Sequence, residues 1–326
     1  MNLWRWAGAL TMVGAVMVAV TARGEQGTGD KPIWKAFDDI GKSFYQEMTS
    51  DTKQTMKVQG QTVEQKQLQT FWVKWTPKEK VDGGKGWKVE YEIIGVKMNI
   101  EIGGNPISYD YFSKDPQPAN PLSDFFKALV GSKFTLTVMK DDKGGINVTK
   151  VEGIEAFVSK LTAANEQLKP LLKTILSEES FKQMTNPTFS PFPKSDEDWK
   201  KGTWEVNKIK LDMGAIGVYE TSYKYTVTVD KNKLEVSGSM DYKAPAKSDS
   251  GGLPFTIKDG SKLTAEKISG TVILDPAKGW VKSSEIQMDL KGDLKIDISG
   301  IETTVELTQK QFSKVITSDT PPAGAK

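Results

Sequence analysis

The chain contains no cysteine and no histidine, and its only arginines are Arg5 and Arg23. Without cysteine, disulfides, thiolate nucleophiles and iron–sulfur ligation are excluded. Without histidine, the usual serine triad and most catalytic zinc sites are excluded as well. Arginine is the preferred side chain for bidentate contacts to phosphate and guanine, so its scarcity counts against nucleic acid. These absences predict a protein that is not an enzyme, has no catalytic, cofactor or metal residues, needs no cofactor and binds no nucleic acid.

Long apolar runs are also missing. The run Ala7–Val20 spans 14 residues, whereas a helix needs roughly 20 to cross a bilayer. This run follows Arg5 and precedes the small residues around Ala22, which is the pattern of a secretory signal peptide. We therefore predict a signal peptide over residues 1–24 with cleavage near Ala22, a secreted or periplasmic location, and no transmembrane segment in the mature chain. An uncleaved N-terminal anchor is the alternative.

Strand patterns fill most of the remaining sequence. "VKMNIEIGGNPISYDY", from Val96, alternates apolar and polar residues on both sides of Gly103 and Gly104, which predicts a hairpin and not a phosphate loop. The same pattern surrounds Gly300, and a weaker one begins at Met56. Further strands are predicted at Phe134–Val138, Trp204–Met213, Tyr219–Val229, Leu234–Tyr242, Thr271–Leu274 and Ser284–Leu290. The predicted fold class is mainly β (α+β), with antiparallel curved sheets or half-barrels and a few covering helices.

Two helical regions interrupt the strands. "NPLSDFFKALVG" has Asn120 as N-cap, proline at the first helical position and Gly131 as a stop. Between Ile154 and Met184 apolar residues recur at helical spacing, and Ser177 is predicted to cap a last short helix. We expect these helices to cover a face of a sheet.

The order of these elements suggests a domain organisation. "GKSFYQE", around Gly41, is similar to "KGTWEVN", around Gly202. Two related halves are one interpretation, and chance similarity among strand-forming segments is the alternative. The predicted boundaries are 1–24 for the signal peptide, 25–152 for an N-terminal antiparallel β half with one short helix, 153–198 for a helical connector and linker, 199–316 for a C-terminal antiparallel β half and 317–326 for a disordered tail.

Several polar residues are candidates for a catalytic or metal-binding role. Glu90 and Glu92 share one face of a strand and are interpreted as solvent-facing, since a catalytic carboxylate pair needs a cleft. "DDKGGIN", Asp141–Asn147, lacks the spacing of a calcium loop and is interpreted as a hairpin turn. Asn147 also begins a glycosylation acceptor sequence. The pairs Lys200-Lys201 and Ser283-Ser284 supply serine and lysine, but nothing in the sequence brings them together.

The aromatic residues allow two interpretations. They either pack in the core or line a sugar or lipid pocket, and strand positions that face the inferred core favour packing. Trp72 is the exception, since its parity is opposite to that of Phe71 and Trp75. The residues concerned are Trp72, Trp75, Trp87, Trp199, Trp204, Trp280, Tyr219, Tyr223 and Tyr225.

Several phrases resemble a known family: "FWVKWTPKEK" from Phe71, "EIIGVKMNIEIGGNPISYD" from Glu92, "NPLSDFFKALVGSKFTLTV" from Asn120, "VTKVEGIEAF" from Val148 and "GGLPFTIKDG" from Gly251. They resemble an uncharacterised family of exported bacterial proteins of planctomycete type, classified as a domain of unknown function. The resemblance implies an exported β-rich protein and transfers no active site.

Three functions are therefore weighed. The first is an exported, non-catalytic β-rich protein of unknown specific function and unknown partner. The second is a periplasmic carrier or binder of lipid or another apolar ligand in a curved-sheet cavity, by analogy of fold. The third is a carboxylate-dependent enzyme acting on carbohydrate, which would need two inward-facing acids in a cleft. An enclosed apolar cavity would favour the second over the first.

Overall fold

The computed structural model describes residues 30–115, 123–164, 173, 176–246, 250 and 253–324. The predicted signal peptide and the predicted cap Asn120 lie outside these residues. None of the helices in the described ranges combines the length and the apolar composition that a bilayer crossing requires.

Within the described residues, thirteen strands form one antiparallel sheet. In chain order they are β1 Phe44–Val58, β2 Gln61–Val81, β3 Gly86–Ile102, β4 Asn105–Asp110, β5 Lys133–Lys140, β6 Ile146–Glu152, β7 Thr203–Asp212, β8 Val218–Val227, β9 Lys233–Lys243, β10 Thr256–Ile257, β11 Lys262–Asp275, β12 Trp280–Ile298 and β13 Ile301–Ser318. The prediction of a mainly β, antiparallel fold is confirmed.

The strand order around the sheet is β6-β5-β3-β2-β1-β13-β12-β11-β9-β8-β7, with β4 on β3 and β10 on β12. The first and last strands of the chain therefore meet in the middle, where β1 pairs with β13 from Tyr45↔Ser318 to Val58↔Val305. The edges of the sheet are β6 and β7. Strand β13 runs to Ser318, two residues beyond the predicted end of the C-terminal half at 316.

Tight turns connect the long hairpins where the sequence predicted them. Gly103 and Gly104 have φ of 53° and 85°, and Ser299 and Gly300 have φ of 53° and 87°. Positive φ at both central residues is the geometry that matches the twist of two antiparallel strands. The glycines therefore turn the chain, as predicted.

Four helices lie in the described ranges: α1 Ser123–Leu129, α2 Ile154–Ala164, α3 Glu178–Thr185 and α4 Asp196–Lys201. The predicted cap is confirmed, because the Ser177 hydroxyl accepts a hydrogen bond from the Ser180 N–H at 3.2 Å. The apolar stripe of α2 is buried at Ile154, Phe157, Val158 and Leu161.

An aromatic cluster fills one end of the sheet. Trp34 and Phe37, from the segment before β1, lie 5.2 Å apart between ring centroids. Trp34 also contacts Phe189 at 4.9 Å and Phe192 at 5.5 Å, both edge to face. Phe189 and Phe192 are buried, so the segment predicted as a linker supplies side chains to the core. Trp199, the first residue of the predicted C-terminal half, is buried as well.

The interior is not apolar throughout. In the middle of β1, β2 and β13 the inward positions carry uncharged polar side chains, and Gln54, Gln65 and Gln311 are at most 2% exposed. Both amide atoms of Gln54 and of Gln65 are buried without a hydrogen-bond partner. Burying unpaired amides is costly, so this part of the sheet gains less from burial than the aromatic end. The inward polar positions are Ser50, Thr52, Gln54, Gln65, Gln67, Gln69, Gln309, Gln311 and Ser313.

Candidate functional site at the seam of the sheet

The two edge strands are brought together by one helix. We call the gap between β6 and β7 the seam. At the β6 side, the Val148 N–H donates to Asn186 Oδ1 at 2.7 Å, and the Val151 N–H donates to Glu178 Oε1 at 3.1 Å. Side chains at both ends of α3 thus accept the hydrogen bonds that a further strand would otherwise accept.

The same helix also bonds to β7. The Asp212 N–H donates to Gln183 Oε1 at 3.1 Å, and the Ser180 hydroxyl donates to the Asp212 carbonyl at 3.3 Å. Because both edges contact one helix, they are separated by about a helix width, ~10 Å. The sheet is therefore curled until its edges nearly meet, and α3 bridges the remaining distance.

Electrostatics favour the bridge at Glu178. The Lys182 ammonium lies 3.0 Å from the Glu178 carboxylate. Hydrogen bonds from Lys182 and from the Val151 N–H lower the pKa of Glu178 below its ordinary value of 4.5. Both donors stabilise the ionised acid, so Glu178 holds β6 as a carboxylate.

A cleft of about 520 Å³ opens along the seam. Its floor is apolar and is formed by Trp34, Phe189 and Phe192 of the aromatic cluster together with Ile146 of β6 and Ile209 of β7. We call this space the seam cleft. It lies on the solvent side of the aromatic cluster, and its base is the packed core itself.

Lysines surround the apolar floor. The lining includes five of them against one glutamate, Glu179. Lys140 lies over the ring of Trp87, 4.7 Å from its centroid. Lys31 lies 3.3 Å from the Asp196 carboxylate, which holds the N-terminal segment beside α4. The lysines are Lys31, Lys140, Lys194, Lys208 and Lys210.

A bulge in β7 brings two of these lysines to the seam. The register with β8 shifts between Val206 and Ile209, and Lys208 has φ of 57°. A bulge with a residue in the left-handed region changes the direction of the following side chains. The charges also act on the neighbouring strand, where Lys243 first, and then Lys208 and Lys210, lower the pKa of Glu220.

Trp34 carries an unused donor. Its side chain is 3% exposed, and its indole N–H is buried without an acceptor. Trp75, in the same cluster, differs, because its N–H donates to Gln46 Oε1 at 2.9 Å. The floor of the seam cleft is thus held by packing alone at Trp34.

The carboxylates that the sequence offered as catalytic or metal-binding candidates lie outside the seam cleft. Glu90 and Glu92 lie on the outer face of β3, where Lys133 lies 3.8 and 3.4 Å from their carboxylates. Asp141 turns the hairpin between β5 and β6, since its carboxylate accepts from the Lys143 and Gly145 N–H groups at 3.0 and 2.7 Å. No group of three or more potential metal ligands occurs among the residues that the structure describes.

The aromatic residues are mostly in the core. Eight of the nine considered are buried, and Trp72 is half-buried with its N–H donating to Glu47 at 2.9 Å. The sequence did not single out Trp34, Phe189 or Phe192, which form the cleft floor. The signal available was local: "PIWKAF" and "TFSPFP" place aromatics beside prolines without a strand or helix period.

Comparison with solved structures gives several matches of low sequence identity. It resembles lipovitellin, from a study of lipid–protein interactions, with 12% identity and a TM-score of 0.46 over 87% of this chain and 26% of that one. It also resembles DynF of the dynemicin pathway of Micromonospora chersina, with 10% identity and a TM-score of 0.19 over 93% and 92% of the two chains. OccK5 of Pseudomonas aeruginosa matches with 7% identity and a TM-score of 0.25 over 85% and 98%.

The chain thus spans about a quarter of the lipovitellin chain that it resembles. No curated protein matches it. The fold and the site define a curled antiparallel sheet whose edges are bridged by a helix beside a lysine-rimmed cleft. A family model matches residues 87–281, more than half of the chain, and the chain belongs to that family, the family of unknown function DUF6263.

Proposed function

We propose that the protein is a non-catalytic binding protein whose seam cleft takes an anionic amphiphile. The observation that carries the proposal is the combination of an apolar floor with a rim of five lysines and one glutamate. An alkyl chain on Phe189 and Phe192 removes apolar surface from water. A carboxylate or phosphate head is attracted by the ammonium groups above.

The cleft favours this ligand class over a neutral lipid. Lysine is a strongly hydrated point charge on a flexible stem, which suits a phosphate or carboxylate that keeps part of its own hydration. A neutral amphiphile gains the apolar contacts but no Coulombic attraction. Ligand pockets combine a mostly apolar lining with a few polar groups that fix orientation, as this cleft does.

Binding of alkyl compounds with twelve carbons tests the proposal. Titration calorimetry below micelle formation should detect dodecyl phosphate and laurate, with dodecanol bound about tenfold more weakly and dodecyltrimethylammonium not bound. The double substitution Lys208→Gln and Lys210→Gln should weaken dodecyl phosphate about tenfold. Lys267→Gln, an exposed lysine of β11, serves as the matched control and should leave the affinity unchanged. Equal affinity for the phosphate and the alcohol would reject the proposal.

Absence of catalysis is part of the same proposal. Its support is the residue inventory, which lacks cysteine and histidine, together with the ion-paired outer position of Glu90 and Glu92. Recovery of unchanged dodecyl phosphate and laurate after long incubation is the expected result. Release of phosphate or of a shortened chain would show an enzyme.

The proposal includes export of the protein to the periplasm or out of the cell. The leader pattern over residues 1–24 supports export. N-terminal sequencing of protein purified from its own host should begin a few residues after Ala22. A mature chain that starts at Met1 would contradict it.

A further inference from the structure

The outer face of the sheet has a groove of about 570 Å³ that crosses β2, β1, β13 and β12. Four lysines line it: Lys53, Lys66, Lys291 and Lys310. All four side chains are exposed. The groove lies at the central junction of the sheet, on different strands from the seam cleft.

Three of these lysines stand side by side. Lys53 of β1 is directly opposite Lys66 of β2 and directly opposite Lys310 of β13. Directly opposite residues have Cβ atoms about 5 Å apart, and like charges at that spacing are destabilising. The sheet therefore places three lysines side by side on adjacent strands, where like charges are unfavourable.

Elsewhere on the outer face lysines are opposite carboxylates. Four residues along β1 from Lys53, Lys57 lies 3.7 Å from Glu306 of β13. Lys97 of β3 lies 2.8 Å from Asp110 of β4. Lys314 of β13 lies 2.6 Å from Glu285 of β12. The row differs from these pairs, because Lys53 is opposite a lysine on both neighbouring strands, although Lys66 and Lys310 are each opposite a carboxylate on their other side.

Two carboxylates also line the groove, Glu64 of β2 and Asp289 of β12, against its four lysines. Glu101 lies 3.2 Å from Lys66 at one end of the row. At the other end Asp289 is the cross-strand partner of Lys310, and it accepts a hydrogen bond from the Gln287 amide at 3.1 Å. No ion pair to Lys53 or Lys310 is formed among the described residues. The hydroxyls of Thr55 and Thr308 lie in the same groove.

We propose that this groove binds a linear acidic polysaccharide. The strands are about 4.8 Å apart, so the ammonium groups of the row repeat at a spacing similar to the length of one sugar residue. A carboxylate on successive sugars compensates successive lysines, while the threonine hydroxyls bond to sugar hydroxyls. Nucleic acid fits less well, because the groove has no arginine fork and no aromatic platform for bases.

Tetragalacturonate is the probe, with maltotetraose as its neutral counterpart of equal length. Calorimetry on the full mature protein should detect tetragalacturonate and not maltotetraose. Lys53→Gln should weaken binding about tenfold, and raising the salt concentration should weaken it further. Lys57→Gln, the matched control on the same strand and face, should change it less than twofold.

Two binding results would contradict the proposal. Equal binding of sulfate and tetragalacturonate would show an ion site only, and tighter binding of a twelve-residue oligothymidylate would assign the groove to nucleic acid. A second variant tests, without any ligand, whether Lys53 is repelled by the lysines opposite it. Lys53→Glu replaces both repulsive pairs by attractive ones, so its melting temperature should rise above that of the wild type. A fall in melting temperature would overturn the argument.

Discussion

The junction between β1 and β13 and the junction between β6 and β7 are held by different groups. At the first, two strands pair over fourteen consecutive residues through their backbones. At the second, four hydrogen bonds join the edges to α3: the side chains of Glu178, Gln183 and Asn186 accept from backbone N–H groups, and the Ser180 hydroxyl donates to a carbonyl. The first junction depends little on side-chain identity. The second can be weakened by a single substitution, and the seam cleft opens beside it.

Two separate proline substitutions, one at each junction, should give the largest difference in stability. In a central strand each backbone N–H belongs to a ladder, so Lys53→Pro should lower the free energy of unfolding by about 3 kcal/mol or more. Lys210 is on the edge strand β7, and its N–H points toward the seam by alternation from Asp212. Lys210→Pro should cost about 1 kcal/mol, since edges tolerate proline.

Denaturant unfolding of both variants measures this difference. Lys53→Ala and Lys210→Ala are the controls, because they remove the same side chains and keep the N–H. Equal losses for the two prolines would show that the seam is held as firmly as the centre.

The next largest effect is expected from removing a side-chain hydrogen bond at the seam. Asn186→Ala leaves the N–H of Val148 unpaired, and Val148 is 3% exposed. An unsatisfied buried donor costs about 1–3 kcal/mol, so urea unfolding should show a loss in this range. Asn186→Asp keeps the accepting oxygen and should recover most of the stability. Met184→Ala, at an exposed position of α3, should change it by less than about 0.5 kcal/mol.

The same substitution at two tryptophans of the aromatic cluster compares a bonded indole N–H with an unbonded one. Trp75→Phe removes the bond to Gln46 and leaves a buried amide oxygen unpaired. Trp34→Phe removes an N–H that has no acceptor. The lost ring volume is similar, so Trp75→Phe should be the more destabilising by about 1–2 kcal/mol in thermal or chemical unfolding. A larger loss at Trp34 would mean that its N–H is bonded in solution.

The smallest expected effect concerns pH. The folded pKa of Glu178 is lowered, so its contribution to stability is present above the ordinary value of 4.5 and is lost as the pH falls through the lowered pKa. The melting temperature of Glu178→Gln should therefore lie below that of the wild type at pH 7, and the two should converge as the pH falls through the lowered pKa of Glu178. A gap that stays constant with pH would exclude the ionised carboxylate as the cause.

Local sequence signals predicted much of the fold. Alternation located the strands, paired residues with positive φ closed the hairpins at Gly103 and Gly300, and Ser177 capped α3, because each feature depends on residues a few positions apart. The bridge at the seam could not be predicted this way. Glu178 and Asn186 bond to backbone groups 27 and 38 residues away, and nothing in the sequence pairs them.

Two polar features of the fold could not be predicted from the sequence, for a similar reason. The inward glutamines Gln54, Gln65 and Gln309 alternate with lysine and glutamate, so hydrophobic periodicity does not show which face is buried. The row Lys53, Lys66 and Lys310 exists only once the register of three strands is known. The aromatic residues of the seam cleft likewise come from segments without a period, and only the fold brings them together.

Amide hydrogen exchange tests the account most directly. Amides of β1 between Thr49 and Thr55 should exchange only through global unfolding, whereas those of Val148, Val151 and Asp212 should exchange faster, through local opening of the seam. Dodecyl phosphate should slow the three seam amides more than those of β1. Seam amides as protected as β1, or a ligand that slows β1 and leaves the seam unchanged, would contradict the account.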